Sequence, residues 1–140
     1  GIVSKSSRDR VATGLVEQLS IVTSGLNQWV GQLSGGNQQK IVVGRALAQH
    51  PTVLIAITPT VGVDVAAKES LLNVIDAARE GGTAVLLVSD DLEDLRICTR
   101  LLVMVKGRMV REYSQPPWDR HELIAAVEGL ESVSVQSESE

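Results

Sequence analysis

Leu33-Ser34-Gly35-Gly36-Asn37-Gln38-Gln39-Lys40 opens a helical pattern over residues 38–49, which runs straight into an apolar stretch, Thr52-Val53-Leu54-Ile55-Ala56-Ile57. Ser34 can cap the first turn through its hydroxyl, as short polar side chains do at helix starts. Gly35 and Gly36 leave the backbone bare, so a ligand can approach the free N–H groups of that turn. A helix start carries about half a positive charge and favours phosphate. A capped helix after a glycine turn is the plainer reading, and a lone Ser-Gly-Gly would earn no more. The length of the octad and the strand that follows it say more.

Outward from this stretch, the chain reads as alternating helices and strands. Residues 6–19 form an amphipathic pattern with Val11, Leu15 and Leu19 at four-residue spacing; Ser6 or Ser7 can cap it, and Gly14 weakens it. Residues 22–32 are rich in Ser, Thr, Asn and Gly and read as a loop, anchored by Trp29. The helix after the octad turns Val42 or Val43, Ala46 and Leu47 inward, with Lys40 and Arg45 toward solvent or phosphate. His50-Pro51 ends it, because the residue before proline leaves the helical region. His50 reads as a helix-end cation, not a catalytic group.

Residues 52–57 form a continuous apolar run, expected of a parallel strand buried on both faces. Val61-Gly62-Val63-Asp64 then makes a turn, with Asp64 placed to cap a helix carrying Leu71, Leu72, Ile75 and Ala78 inward up to Gly81-Gly82. Residues 83–88 are a second buried strand. Ser89 at its exit can cap a helix over residues 91–98. Residues 101–105 and 108–113 flank Lys106-Gly107 as a hairpin. Residues 118–130 read as a last helix with Leu123, Val127 and Leu130 on one face, and residues 131–140 as an acidic, Ser-rich disordered tail.

The octad resembles the signature motif of ATP-binding cassette (ABC) ATPases, and its Asn-Gln-Gln-Lys ending resembles the variant found in monosaccharide importers, whose ATPase subunit carries two fused cassettes. The likeness runs from about residue 9 to residue 130. It implies an α/β fold, part of a P-loop NTPase cassette, with a mostly parallel sheet flanked by helices. It also implies an organisation: residues 1–32 end a helical subdomain that leans on a membrane partner, 33–113 hold the signature helix and the α/β core, and 114–130 form the C-terminal helix. By resemblance, Ser34, Gly35, Gly36 and Gln38 contact ATP held by the opposite cassette. Asp64 becomes the aspartate of the D-loop crossing between paired cassettes. Ser89 takes the switch position at which most of these ATPases carry a histidine.

Two departures matter. The family follows its strand with an Asp that helps hold magnesium and a Glu that activates the attacking water. Here Ile57 and Thr58 stand before Pro59-Thr60. Neither is a carboxylate, so neither serves as a usual magnesium ligand or a general base, and losing a positioned base costs about 10²–10⁴ in rate. In addition, no Gly-x-x-x-x-Gly-Lys-Ser/Thr occurs in the sequence. In the family that loop, the residue stacking on adenine and the Q-loop glutamine all lie N-terminal to the signature. The chain therefore resembles the C-terminal half of a cassette, the second of the two. Its sheet is expected to lack the phosphate-loop strand, leaving the strand over residues 83–88 with a free edge and the chain prone to self-association.

ATP and Mg are thus expected to be bound mainly outside this chain, with no metal ligands within it and no ATP hydrolysis by the chain alone. The implied partners are a second cassette, permease subunits and an extracytoplasmic sugar-binding protein, and the implied location is peripheral, on the cytoplasmic face of the membrane. A degenerate, non-catalytic interaction module is the alternative. Bulk properties agree with this range. The 140 residues suit one domain or a piece of one, and the chain begins at Gly1, as an excised or processed fragment would. A net charge of -4 offers no basic face for nucleic acid, which argues against a DNA-repair ATPase. Cys98 is the single cysteine, so no internal disulfide forms; with no Phe, the core is aliphatic.

Overall fold

A computed structural model describes residues 4–129. It divides into two compact units, Gly1–Ile97 and Cys98–Glu140. The first contains α1 (Lys5–Gln18), α2 (Gly35–Leu47), β1 (Val53–Ile57), α3 (Val65–Glu80) and β2 (Ala84–Val88), with short 3-10 turns at Val30–Gln32 and Asp94–Ile97. The second contains β3 (Leu101–Val105), β4 (Arg108–Tyr113) and α4 (Arg120–Glu128). The hairpin groups with α4 in the second unit and forms a sheet of its own. Leu130 and the tail over 131–140 lie outside the described residues, so the disorder expected there has no counterpart in them.

β1 and β2 pair in parallel, Val53 opposite Ala84 through Ile57 opposite Val88. Parallel neighbours need a crossover, and α3 supplies it. Asp64 caps α3, its Oδ1 accepting from the Ala67 N–H at 2.9 Å. Gly81 and Gly82 end the helix: Gly82 sits at φ 98°, where a side chain would be strained. Apolar residues at 67, 71, 74 and 75 follow the helical period and are buried. Leu71 and Ile75 are fully buried and join Leu19, Ile21, Val43, Leu54, Ala56 and Val74 in one cluster. Burying a leucine or isoleucine so completely contributes about 1.5–3 kcal/mol each.

Among the described residues, only one face of the sheet is covered. Leu54 and Ala56 point into the cluster, whereas Val53, Ile55 and Ile57 are 58%, 60% and 67% exposed, beside exposed Leu86 and Val88 on β2. The expectation of a strand buried on both faces is corrected here. A continuous apolar run marks what a strand is made of, not whether both layers are present. Among the described residues, β2 pairs with β1 alone.

Local details depart from the sequence reading in instructive ways. Ser4, not Ser6 or Ser7, caps α1, its Oγ accepting from the Ser7 N–H at 3.2 Å, because the helix starts one residue earlier than expected. Val43 turns inward and Val42 outward; Ala46 is exposed, against expectation. Gly44 is what lets α2 reach the end of α1: a Cβ there would sit 2.5 Å from Leu19 Cδ1. Trp29 is 80% exposed and does not anchor its loop; a Gln28 side-chain oxygen does, accepting from Thr23 Oγ1 and the Ser24 N–H. The helix expected over 91–98 is a single 3-10 turn. In the second unit α4 packs on β3, with Leu101, Val103 and Leu123 buried, while Val127 stays exposed. Asp119 caps α4, its Oδ1 accepting from the His121 and Glu122 amides.

Candidate functional site

Ser34 takes extended backbone angles and the chain turns helical at Gly35. Its Oγ accepts from the Asn37 N–H at 3.4 Å and from Asn37 Nδ2 at 2.9 Å. Both contacts use the oxygen as acceptor, which leaves the hydroxyl proton for an outside group. The first-turn amides of Gly35 and Gly36 have no acceptor within the helix, as for any helix start. Asn37 does double duty, its Oδ1 accepting from the Val22 N–H at 3.0 Å and so tying the preceding loop to the turn. Gln38 braces the turn from inside, donating through Nε2 to the Leu33 carbonyl at 2.8 Å.

The residues after β1 come up beneath this turn. A Cβ on Gly35 would lie 3.4 Å from the Gly62 carbonyl oxygen; one on Gly36 would lie 2.8 Å from Ala67 Cβ and 3.9 Å from Asp64 Oδ2. Glycine at 36 is thus required by the approach of α3, not by the turn's dihedrals. Ser34, Gly35, Gly36 and Asp64 are brought together. Lys40 is a correction: it is buried, with Nζ donating to the Ser20 carbonyl at 3.2 Å, and faces neither solvent nor phosphate. A long aliphatic stem can lie along apolar surface while its head meets a loop carbonyl. Arg45 is exposed, as expected.

Thr58 and Ser89 belong to a second cluster, at the exits of β1 and β2. Thr58 extends the ladder, its N–H donating to the Val88 carbonyl at 2.7 Å. Its φ is 43°, in the left-handed region that β-branched residues avoid. Such a conformation costs about 1–2 kcal/mol for a residue with a Cβ. Glycine would remove this strain and return part of the gain through its greater freedom when unfolded. Thr58→Gly is therefore expected to stabilise the chain by about 1 kcal/mol, read as a higher denaturation midpoint; a lower midpoint would contradict the strain. Ser89 Oγ donates to Asp94 Oδ2 at 2.7 Å and accepts from the Asp91 N–H at 3.1 Å. Thr60 Oγ1 donates to the same Asp94 oxygen at 2.6 Å. Asp94 is fully buried. Its other oxygen, Oδ1, lies 3.2 Å from Lys68 Nζ, at ion-pair distance but not aligned as a hydrogen bond. Lys68 also pairs with Asp91 at 2.5 Å. Burial works against the Lys68 ammonium, but the pull of Asp91 and Asp94 outweighs it and holds its pKa above the ordinary lysine value.

The sequence reading missed Lys68 and Asp94. Nothing in their spacing announces them, because Thr60 and Asp94 are 34 residues apart. Magnesium does not fit this chain's own residues. At the position where a carboxylate would hold the ion stands Ile57, which carries no oxygen in its side chain. Among the described residues, no group of three or more His, Cys, Asp or Glu is arranged for a metal. Nor, among them, is any helix long and apolar enough to cross a membrane.

No protein-family model matches the chain. It is 38% identical over 135 residues to a ribose import ATP-binding protein of Rubrobacter xylanophilus, covering 96% of this chain and 26% of that one. A xylose import ATP-binding protein of Moorella thermoacetica is 38% identical over 129 residues, covering 91% and 26%. The fold matches the dimeric ABC transporter cassette MJ0796 with a TM-score of 0.75 at 27% identity, over 84% of this chain and 51% of that one. The chain is similar to one part of the sugar-import ATP-binding proteins of ABC transporters, and its fold is that of part of an ABC cassette. It spans about a quarter of the length of these import proteins and about half of the cassette it superposes on. The α/β fold is a partial P-loop NTPase cassette, as its residues imply. The same MJ0796 cassette is also known in a post-hydrolysis state bound to ADP and Pi.

Proposed function

We propose that this chain is the C-terminal half of a cassette, the second of two, in the ATPase subunit of a sugar importer, and that it closes on ATP held by an opposing cassette. Ser34 donates its proton to the terminal phosphate, and the Gly35 and Gly36 amides complete the anion site. Asp64 sits where the turn after β1 supports that contact and faces the paired cassette. Gln38 serves by holding the turn, through Leu33. The supporting observation is the acceptor-only use of Ser34 Oγ by Asn37, which leaves one directed donor at a helix N-terminus. Magnesium and the adenine-binding groups come from outside this chain. Its setting is peripheral, at the cytoplasmic face of the membrane, with permease subunits and an extracytoplasmic sugar-binding protein as the rest of the machine.

The chain alone is expected to release no phosphate from Mg-ATP. With the ribose import ATP-binding protein of Rubrobacter and ATP, it should form a nucleotide-dependent complex, measured by sedimentation. Ser34→Ala should weaken that complex about tenfold or more, the loss of one hydrogen bond to a charged group. Magnesium-dependent hydrolysis by the isolated chain, or an unchanged Ser34→Ala complex, would refute the reading. A second reading, a non-catalytic module that only completes a partner's site, is favoured by Ile57 and Thr58 in place of the two carboxylates. It predicts the same complex with no turnover at the phosphate-loop site paired with this chain's β1.

A further inference from the structure

The most deeply buried charge in the first unit belongs to a residue with no part in the reading above. Asp94 lies on the 3-10 turn Asp94–Ile97 and is fully buried. A carboxylate taken out of water is retained only with partners that replace its hydration. Three elements supply them. Thr60, after β1, and Ser89, after β2, give hydroxyl protons to one oxygen; Lys68, in the second turn of α3, faces the other.

We infer that Asp94 is the positioning residue of both strand exits, and that it turns the Ser89 hydroxyl inward so that Ser89 is a fixed part of the scaffold, not a phosphate donor. A serine has one proton to give. Here it goes to Asp94, and the Ser89 oxygen is further engaged by the Asp91 N–H. The exposed side chain at this exit is the next residue, Asp90. The same carboxylate is linked to the octad's first turn only through α3. Lys68 follows Ala67, the residue that bears on Gly36, so the first turns of α3 touch the signature turn on one side and the Asp94 cluster on the other. The inference concerns this chain's own hydrogen bonds and stands whether or not the ATP reading does.

The test is hydroxyl-proton NMR on the full chain. The Ser89 and Thr60 hydroxyl protons should exchange with water at least tenfold more slowly than that of Ser34, whose proton has no acceptor among the described residues. Asp94→Asn keeps a carbonyl acceptor but removes the charge, so both signals should shift upfield, and the Ala67 and Lys68 amides should move with them. Leu71→Ala, which destabilises the same unit without touching Asp94, should leave the hydroxyl shifts in place. A Ser89 hydroxyl exchanging as fast as that of Ser34 would overturn the inference. So would signals that move equally in Asp94→Asn and Leu71→Ala, since Asp94 would then be only one more contributor to stability. If Asp94→Asn does not fold, the exchange comparison in the unaltered chain decides alone.

Discussion

Leu71→Ala is expected to destabilise the first unit by about 2–5 kcal/mol, the range for truncating a fully buried leucine. Leu71 is wholly inaccessible on the face of α3 that meets β1, β2 and α2. One face of this sheet is already open, so the cluster around Leu71 carries most of the apolar burial available to the unit. The surroundings are also poorly placed to collapse into the vacancy, because α3 is fixed at one end by its Asp64 cap and at the other by Gly81-Gly82. Chemical denaturation should show the midpoint falling with little change in slope. A loss below about 1 kcal/mol would mean that the core lies elsewhere. The consequence reaches the site, since α3 carries Asp64 and Ala67 beneath the signature turn.

Gly36→Val is expected to have the second-largest effect. A Cβ at this position would meet Ala67 Cβ at 2.8 Å, closer than real Cβ atoms come, and neither atom has a torsion by which to escape. The two helices must part or the signature turn must shift. Overpacking of this kind costs about 1–3 kcal/mol. Two readouts separate stability from function. Ala67→Gly should recover much of the lost stability by restoring room. On the proposed reading, the nucleotide-dependent complex should weaken in Gly36→Val even where the fold persists, because a branched side chain then stands beside the first-turn amides. Full stability in Gly36→Val would show that α2 and α3 are not in the described contact.

The hydrogen bonds at the two exits also fix the residues that follow β1. Ile57 is two-thirds exposed on the open face of β1, and Thr58 is held in a left-handed conformation by its pairing to Val88. Neither offers a base. What the first turn of α2 does present is the Ser34 hydroxyl, exposed at a helix N-terminus.

The sequence by itself determined the elements whose chemistry is local. The Ser34 and Asp64 caps, the stop at Gly81-Gly82 and the hairpin around Lys106-Gly107 follow from neighbours within a few residues, and all stand in the structure. The octad also carried enough information to name the cassette family. Tertiary structure alone decided the rest, because it depends on residues far apart in the chain. It buried Lys40 against the Ser20 carbonyl, left Trp29 in solvent, uncovered one face of β1, and made Gly36 a contact with Ala67. Above all it gathered Thr60, Lys68 and Ser89 on Asp94. A buried carboxylate is stable only where several distant donors converge, and convergence in space has no period along a sequence.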